Sequence, residues 1–253
     1  MARFFLSRDA MDLASGVIPI AGDDAHHIAF SLRMAVGEHL TVCDMQKTEY
    51  ACTITDIKPD LVLLRIDEVR PNSTELPISV TLYQSLPKGD KMDYIVQKAV
   101  ELGVTSIVPV AGARCIVKLD EKNAQKKVAR WQKIAEEAAK QCGRGIVPQI
   151  GMPISFAQAI ADGASTDLPL FCYEGDGTVS LKTVLDNAMS KMTPDRISLS
   201  SAVYIGPEGG YDTKEVALAA DAGFASVNLG RRILRCETAS GFVLSCMTYA
   251  FEL

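Results

Sequence analysis

Two short segments of this chain combine residue types suited to holding a small ligand and steadying charge on it. In Ile205-Gly206-Pro207-Glu208-Gly209-Gly210, three glycines surround one acid. Gly206, Gly209 and Gly210 lack a Cβ, so backbone amides there can approach a ligand closely and take positive φ. Pro207 stiffens one turn and donates no N–H. A tight strand-to-helix turn explains the same letters. Further along, Leu229-Gly230-Arg231-Arg232-Ile233-Leu234-Arg235-Cys236-Glu237 sets three arginines around an apolar pair, just before a helical stretch. Ile233 and Leu234 need a surface to cover, and a flat aromatic ligand supplies one. A charged helix start is the plainer alternative. Glu237 can serve as a base or can cap backbone amides of the first helical turn. Glu208 carries the same ambiguity. His26, His27 and His39 are the only histidines and lie in the first 72 residues, so a histidine-based site in the remainder is ruled out.

Both segments follow apolar runs that read as strands. The first 70 residues suggest short strands, at 37–44, 49–57 and 61–69, as in a small barrel or sandwich. The polar stretch 70–77 contains two prolines and reads as a linker, which divides the chain into domains 1–72 and 73–253. Beyond it, strands at 78–86, 104–110, 168–173, 202–206 and 225–230 alternate with helices at 90–102, 122–142, 213–222 and 237–253. Asp212 and Glu215 have capping-box spacing. This order predicts an α/β domain with a parallel sheet and ligand loops beyond the strand carboxyl ends.

Composition narrows the classes. The chain has 253 residues, 48% of them hydrophobic and 23% charged, and a net charge of −5. That suits a folded chain with a substantial core. The N-terminus carries acids where a signal peptide needs apolar residues, and no apolar run spans a bilayer, so a cytoplasmic protein is expected, without membrane partners. Seven cysteines nowhere form CxxC, which disfavours a disulfide framework or a zinc ribbon, and no metal is expected. The acidic total hides a basic middle. Residues 1–72 carry a net −4 and residues 148–253 a net −5, whereas residues 88–147 carry +5.

Taken together, GPEGG followed by LGRRILRCETA resembles the 16S ribosomal-RNA uracil-N3 methyltransferases of RsmE type, in the SPOUT superfamily. His26-His27 with Leu32-Arg33 and Gly37, the stretch Lys88-Gly89-Asp90-Lys91-Met92, and Gln97 to Val104 are similar to further motifs of that family, in the same order. Arg114, Glu137-Ala138-Ala139, Gln141, Arg144 and Pro148 also correspond. Cys115 and Cys142 stand where Ser or Thr is more usual, and Cys236 where Thr is common.

The resemblance implies methyl transfer from S-adenosylmethionine to N3 of a uridine, position 1498 of 16S ribosomal RNA. It also implies a trefoil-knotted C-terminal domain, a small N-terminal PUA-like β-barrel that helps hold RNA, and a homodimer. The implied cofactor-binding residues are Tyr173, Ile205, Gly206, Pro207, Glu208, Gly209, Gly210, Leu229, Gly230, Ile233, Leu234 and Arg235. Deprotonating N3 spreads negative charge over O2, N3 and O4, which an arginine fork would stabilise. Arg235 leads for that role, with Arg114 and Arg144 as alternatives, and Glu237 is the candidate base. RNA contacts are expected from Lys88, Lys91, Lys98, Arg114, Lys140, Gln141 and Arg144, and in the N-terminal domain from Arg3, Arg8, His26, His27 and Arg33. Lys122, Lys126, Lys127, Arg130 and Lys133 read better as the solvated face of one helix. Tyr173 and Tyr211 are the candidate base-stacking rings. Two rival readings are a non-catalytic RNA-binding assembly factor and a dinucleotide-dependent oxidoreductase. The nearest dinucleotide fingerprint, Gly175 to Ser180, lacks its third glycine and reads as a turn.

Overall fold

A computed structural model describes residues 2–191 and 199–253. The chain divides into two compact units, Met1–Glu75 with Ala139–Val147, and Leu76–Ala138 with Pro148–Leu253.

In the first unit, strands β1 (Arg3–Phe5), β2 (Val17–Ala21), β3 (His39–Cys43), β4 (Thr48–Lys58) and β5 (Leu61–Pro71) form one sheet in the order β1-β3-β4-β5-β2. β1 pairs with β3 in parallel and the other pairings are antiparallel. Register shifts between β4 and β5 at Ala51/Cys52 and Ile54/Asp56 bend this long pair. The sheet curls around Phe4, Ile18, Ile20, Leu40, Ile54, Val62 and Leu64. A one-turn helix α1 (Asp23–His26) continues into a π-turn over His27–Ser31 and adds Ala25 and Ile28 to that core.

The stretch read as a linker is structured. β5 runs through Pro71, and Asn72 Nδ2 donates to Glu49 Oε1 at 2.5 Å. Glu75 is buried, accepting from Arg144 Nη2 at 2.6 Å and from the Gly145 N–H at 2.9 Å. A buried charge must be paired, so these polar letters mark an internal network and not a solvated tether.

The second unit contains β6 (Ser79–Ser85), α2 (Lys91–Glu101), β7 (Ser106–Ala111), α3 (Glu121–Cys142, whose last turn belongs to the first unit), β8 (Gln149–Ile150), β9 (Ile154–Ser155) and α4 (Phe156–Gly163). It continues with β10 (Leu168–Cys172), β11 (Val179–Ser180), α5 (Leu181–Met189), β12 (Ser200–Ile205), α6 (Thr213–Asp221), β13 (Ala225–Asn228) and α7 (Cys236–Phe251). The sheet is parallel throughout, in the order β11-β13-β10-β12-β6-β7-β8, with β9 on β7. Its central strands, such as β12 with Ser201 to Ile205 all buried, are apolar on both faces because helices cover both. α2 buries Met92, Ile95, Val96, Ala99 and Val100, one stripe at helical spacing. The capping box at Asp212 and Glu215 forms, with the two side chains and two N–H groups bonded reciprocally. Of Gly175 to Ser180, residues 175–177 form the expected turn. It leads into β11, and Ser180 caps α5 by accepting from the Thr183 N–H.

Candidate ligand cavity at the carboxyl ends of four neighbouring strands

In the second unit, the loops that follow β10, β12 and β13 converge on one cavity of about 460 Å³, within the range of small-ligand sites. These three strands are neighbours in the sheet, and β6, next to β12, leads into α2, which contributes Lys91. The lining comes from Cys172 to Glu174, from Ile205 to Tyr211 without Gly209, and from Asn228 to Cys236, with Ala239 of α7. The chain lays β10 first, then β12 on one side of it and β13 on the other. The winding therefore reverses at β10, and in open α/β sheets such a reversal leaves a crevice beyond the strand ends.

Most of the expected cofactor-binding residues meet here: Tyr173, Ile205, Gly206, Pro207, Glu208, Gly210, Leu229, Gly230, Ile233, Leu234 and Arg235. Gly210 and Gly230 take φ of +67° and +102°, a conformation that side-chain-bearing residues rarely adopt. Gly209, alone of the expected set, is not in the lining. Its carbonyl accepts from Arg114 Nη1 at 3.0 Å, and a Cβ added to it would meet the Arg114 side chain at ordinary contact distance. Tyr211 also departs from expectation. Its ring is buried against Phe171, with centroids 4.3 Å apart, and cannot stack on a base.

A charged cluster closes one wall. Lys91 Nζ lies 2.8 Å from Glu208 Oε1 and 3.4 Å from Glu237 Oε2. The Lys88 N–H also donates to Glu208 Oε1, at 3.1 Å. The Glu208 hydrogen bond holds the Lys91 ammonium above its ordinary range. Burial works against ionising Glu208, but the Lys91 hydrogen bond and backbone N–H groups outweigh it and set its carboxyl below the usual range. Glu237 is lowered in the same manner. Burial opposes, while its own backbone N–H, the Cys236 thiol and Lys91 prevail. Glu237 thus both serves the start of α7 and faces a cation. Burial and the neighbouring Glu237 push the Cys236 thiol up to about 12, so it is an inert donor at neutral pH, its Sγ 3.1 Å from Glu237 Oε2. Arg235 is the N-cap of α7, with no side-chain cap bond, and its exposed guanidinium stands at the cavity beside the positive end of that helix. Arg231 and Arg232 share the rim.

The expected RNA contacts separate. Arg144 is a correction: its side chain is 3% exposed and is paired with Glu75. Arg3 is another, mostly buried, with Nη1 2.6 Å from Glu49 Oε1. Their charges are consumed inside the first unit, which also removes Arg144 as a catalytic alternative. Lys140 pairs with Asp24 at 3.3 Å. Lys91 belongs to the cavity, Arg114 pins the glycine loop, and Lys98 pairs with Glu101 at 2.8 Å on its own helix. Lys88, Gln141, Arg8, His26, His27 and Arg33 are exposed. Arg33 has a φ of +53°, and the His26 ring lies 4.5 Å from that of exposed Phe30. Lys122, Lys126, Arg130 and Lys133 form an exposed face of α3, as the charge run suggests. Sequence reasoning missed Glu174, Asn228 and Cys172 in the lining. Their only signal is that each lies at the end of a strand or within two residues of it.

Glycine backbone that lets a ligand approach, rim charges of both signs, and a buried phenol without a partner, Tyr211 Oη, suit a nucleoside-like ligand that carries both ammonium and carboxylate. S-adenosylmethionine has that chemistry. Comparison with known proteins agrees. Residues 74–248 match the RNA methyltransferase domain family, and residues 20–67 match the RNA methyltransferase PUA domain family. Ribosomal RNA small subunit methyltransferase E of Bacillus subtilis (strain 168) is 34% identical over 257 residues, covering 100% of this chain and 98% of the relative. The protein of that name from Synechocystis sp. is 32% identical over 90% of this chain and 71% of its own length. Among solved structures, a ribosomal RNA small subunit methyltransferase E from Neisseria gonorrhoeae, bound to S-adenosyl methionine, superposes with a TM-score of 0.81 at 31% identity, covering 98% of this chain and 97% of that one. With one domain match across most of its length and a relative similar from end to end, the chain belongs to the ribosomal RNA small subunit methyltransferase E family of RNA methyltransferases, an α/β SPOUT-type fold with a PUA-like N-terminal domain.

Proposed function

We propose that this protein methylates N3 of a uridine in 16S ribosomal RNA, position 1498 by family resemblance, with S-adenosylmethionine as donor. The observation that carries the reading is the convergence of the GPEGG loop and the ILR segment on one cavity at the carboxyl ends of adjacent parallel strands. Bound there, S-adenosylmethionine supplies an electrophilic methyl on a sulfonium. The protein's task is then to position the acceptor and to stabilise the charge it develops. Arg235, at the positive end of α7 and in the cavity lining, is the residue for stabilising the charge that develops on the uracil oxygens. Glu237 is the candidate proton acceptor, beside its role at the start of α7. It is ionised at neutral pH, and the same lowering of its pKa makes it a weak base. Lys91 holds Glu208 and Glu237 in place as a positioning residue.

Domains 1–72 and 73–253 take the roles of RNA holder and methyltransferase. The insertion of β13 between β10 and β11 supports a knotted course. Exposed Tyr94, Phe242 and Tyr249, on α2 and α7, support a homodimer. A cytoplasmic location fits an enzyme of ribosomal RNA. Among the described residues, no helix is long and apolar enough to cross a membrane.

The test is calorimetric titration with S-adenosylmethionine and with NAD, together with mass-spectrometric mapping of 16S ribosomal RNA from cells with and without the protein. S-adenosylmethionine binding and loss of one methyluridine are expected. NAD binding alone would defeat the proposal, and binding without any change in the RNA would favour a non-catalytic factor.

A further inference from the structure

Among the described residues, two buried side-chain polar atoms have no hydrogen-bond partner, Gln84 Oε1 and Tyr211 Oη. Gln84 is not part of the cavity wall, whereas Tyr211 is. Three neighbours fix the Tyr211 ring. It lies 4.3 Å from the Phe171 centroid and 5.7 Å from that of Phe156, and a Cβ on Gly206 would stand only 3.2 to 3.4 Å from its carbons. So packed, the ring cannot swing its hydroxyl out to bulk water. Tyr211 is 6% exposed, and a phenylalanine would fill the same apolar slot without leaving a polar atom unpaired. Burial pushes the phenol well above its ordinary pKa, and the nearby Cys172 and Glu174, which also line the cavity, act in the same direction. The group therefore stays a neutral O–H donor.

We propose that the Tyr211 hydroxyl is a cofactor-binding group, donating a hydrogen bond to an acceptor atom of the ligand in this cavity. The inference rests on the reading that this ligand is S-adenosylmethionine. It adds a residue whose sequence neighbours mark only a glycine turn, and whose ring serves the core while its oxygen serves the site.

Tyr211→Phe removes one oxygen and preserves the ring. The full-length variant and the wild type are compared by calorimetric titration with S-adenosylmethionine, and by thermal unfolding without ligand. The expected result is a Kd raised about five- to tenfold, with an unliganded melting temperature equal to or above that of the wild type. A Kd within twofold of the wild type would overturn the inference. A lowered unliganded melting temperature would do so too, whatever the Kd, because the hydroxyl would then be serving the fold through an internal partner. If the wild type itself fails to bind S-adenosylmethionine, the functional reading falls as well; if it binds and Tyr211→Phe binds equally, only this inference falls.

Discussion

Arg235 and Lys91 are cations on the same cavity with opposite circumstances. Arg235 is exposed at a helix start and Lys91 is engaged by two carboxylates. Arg235→Ala should lower methyl-transfer turnover by roughly 10²–10³ with little change in S-adenosylmethionine affinity, if it acts as charge stabiliser in the transition state. Single-turnover kinetics beside calorimetry will check this. Lys91→Met should leave the salt slope of RNA binding unchanged, since the ammonium is spent inside the cavity and not on a phosphate. Backbone N–H groups and, for Glu237, the Cys236 thiol share with Lys91 the lowering of the Glu208 and Glu237 carboxyls, so removing Lys91 lets both rise part of the way, and the acidic limb of the pH–rate profile should move to higher pH. An unmoved limb would separate these carboxylates from the rate. The types and spacing of the Gly and Arg residues were readable in the sequence. The ion pairs were not, because Lys91 meets Glu208 from 117 positions away.

The glycine loop shows what an element adds to its letters. From sequence, Gly206, Gly209 and Gly210 are interchangeable candidates for close backbone approach. In the fold, Gly210 sits at positive φ on the cavity, while Gly209 turns toward Arg114 with room for a methyl group. Gly209→Ala should therefore retain S-adenosylmethionine affinity within a few-fold, and Gly210→Val should lose most of it, as titration can show. The helix that follows is legible by its cap. Asp212→Ala removes the side chain that accepts from the Lys214 N–H and should cost about 1 kcal/mol in chemical denaturation. Helices α4 and α5 escaped the sequence reading although Ser155 and Ser180 cap them, because each spans barely two turns and carries too few apolar repeats to declare a period. The two-residue strands β8, β9 and β11 have no local signal and exist only because a neighbouring strand offers them a ladder.

For the whole molecule, charge distribution matters more than the total of −5. The basic segment 88–147 suggested a single RNA-binding face. The fold breaks it up into Lys91 on the cavity, Arg144 in an interior ion pair, and an exposed stripe on α3. Arg3 and Glu49 repeat the lesson. Burial disfavours the Glu49 carboxylate, but hydrogen bonds from Arg3, Asn72 and Arg70 set it below its ordinary range. Its contribution to the stability of the first unit is therefore fully present above the unfolded value of about 4.3 and is lost as pH falls below that toward the folded value. In melting experiments the wild type should exceed Glu49→Gln at pH 7, and the gap should close below about pH 4. A gap that does not depend on pH would mean the carboxylate charge is unimportant there.

The sequence by itself determined the family, the parallel α/β character of the C-terminal half, and the two loops that line the cavity. Glycine, arginine and apolar runs act through local backbone freedom and periodicity, which one-dimensional order preserves. Only the tertiary structure decided which charges are available for RNA and which are consumed internally. It also decided that Gly209 braces the loop from outside the cavity, and that the Tyr211 ring belongs to the core while its hydroxyl is left for the site. The cause is physical: burial and pairing depend on residues far apart in the chain, and whether an arginine or a phenol is free to act is settled by the groups packed against it.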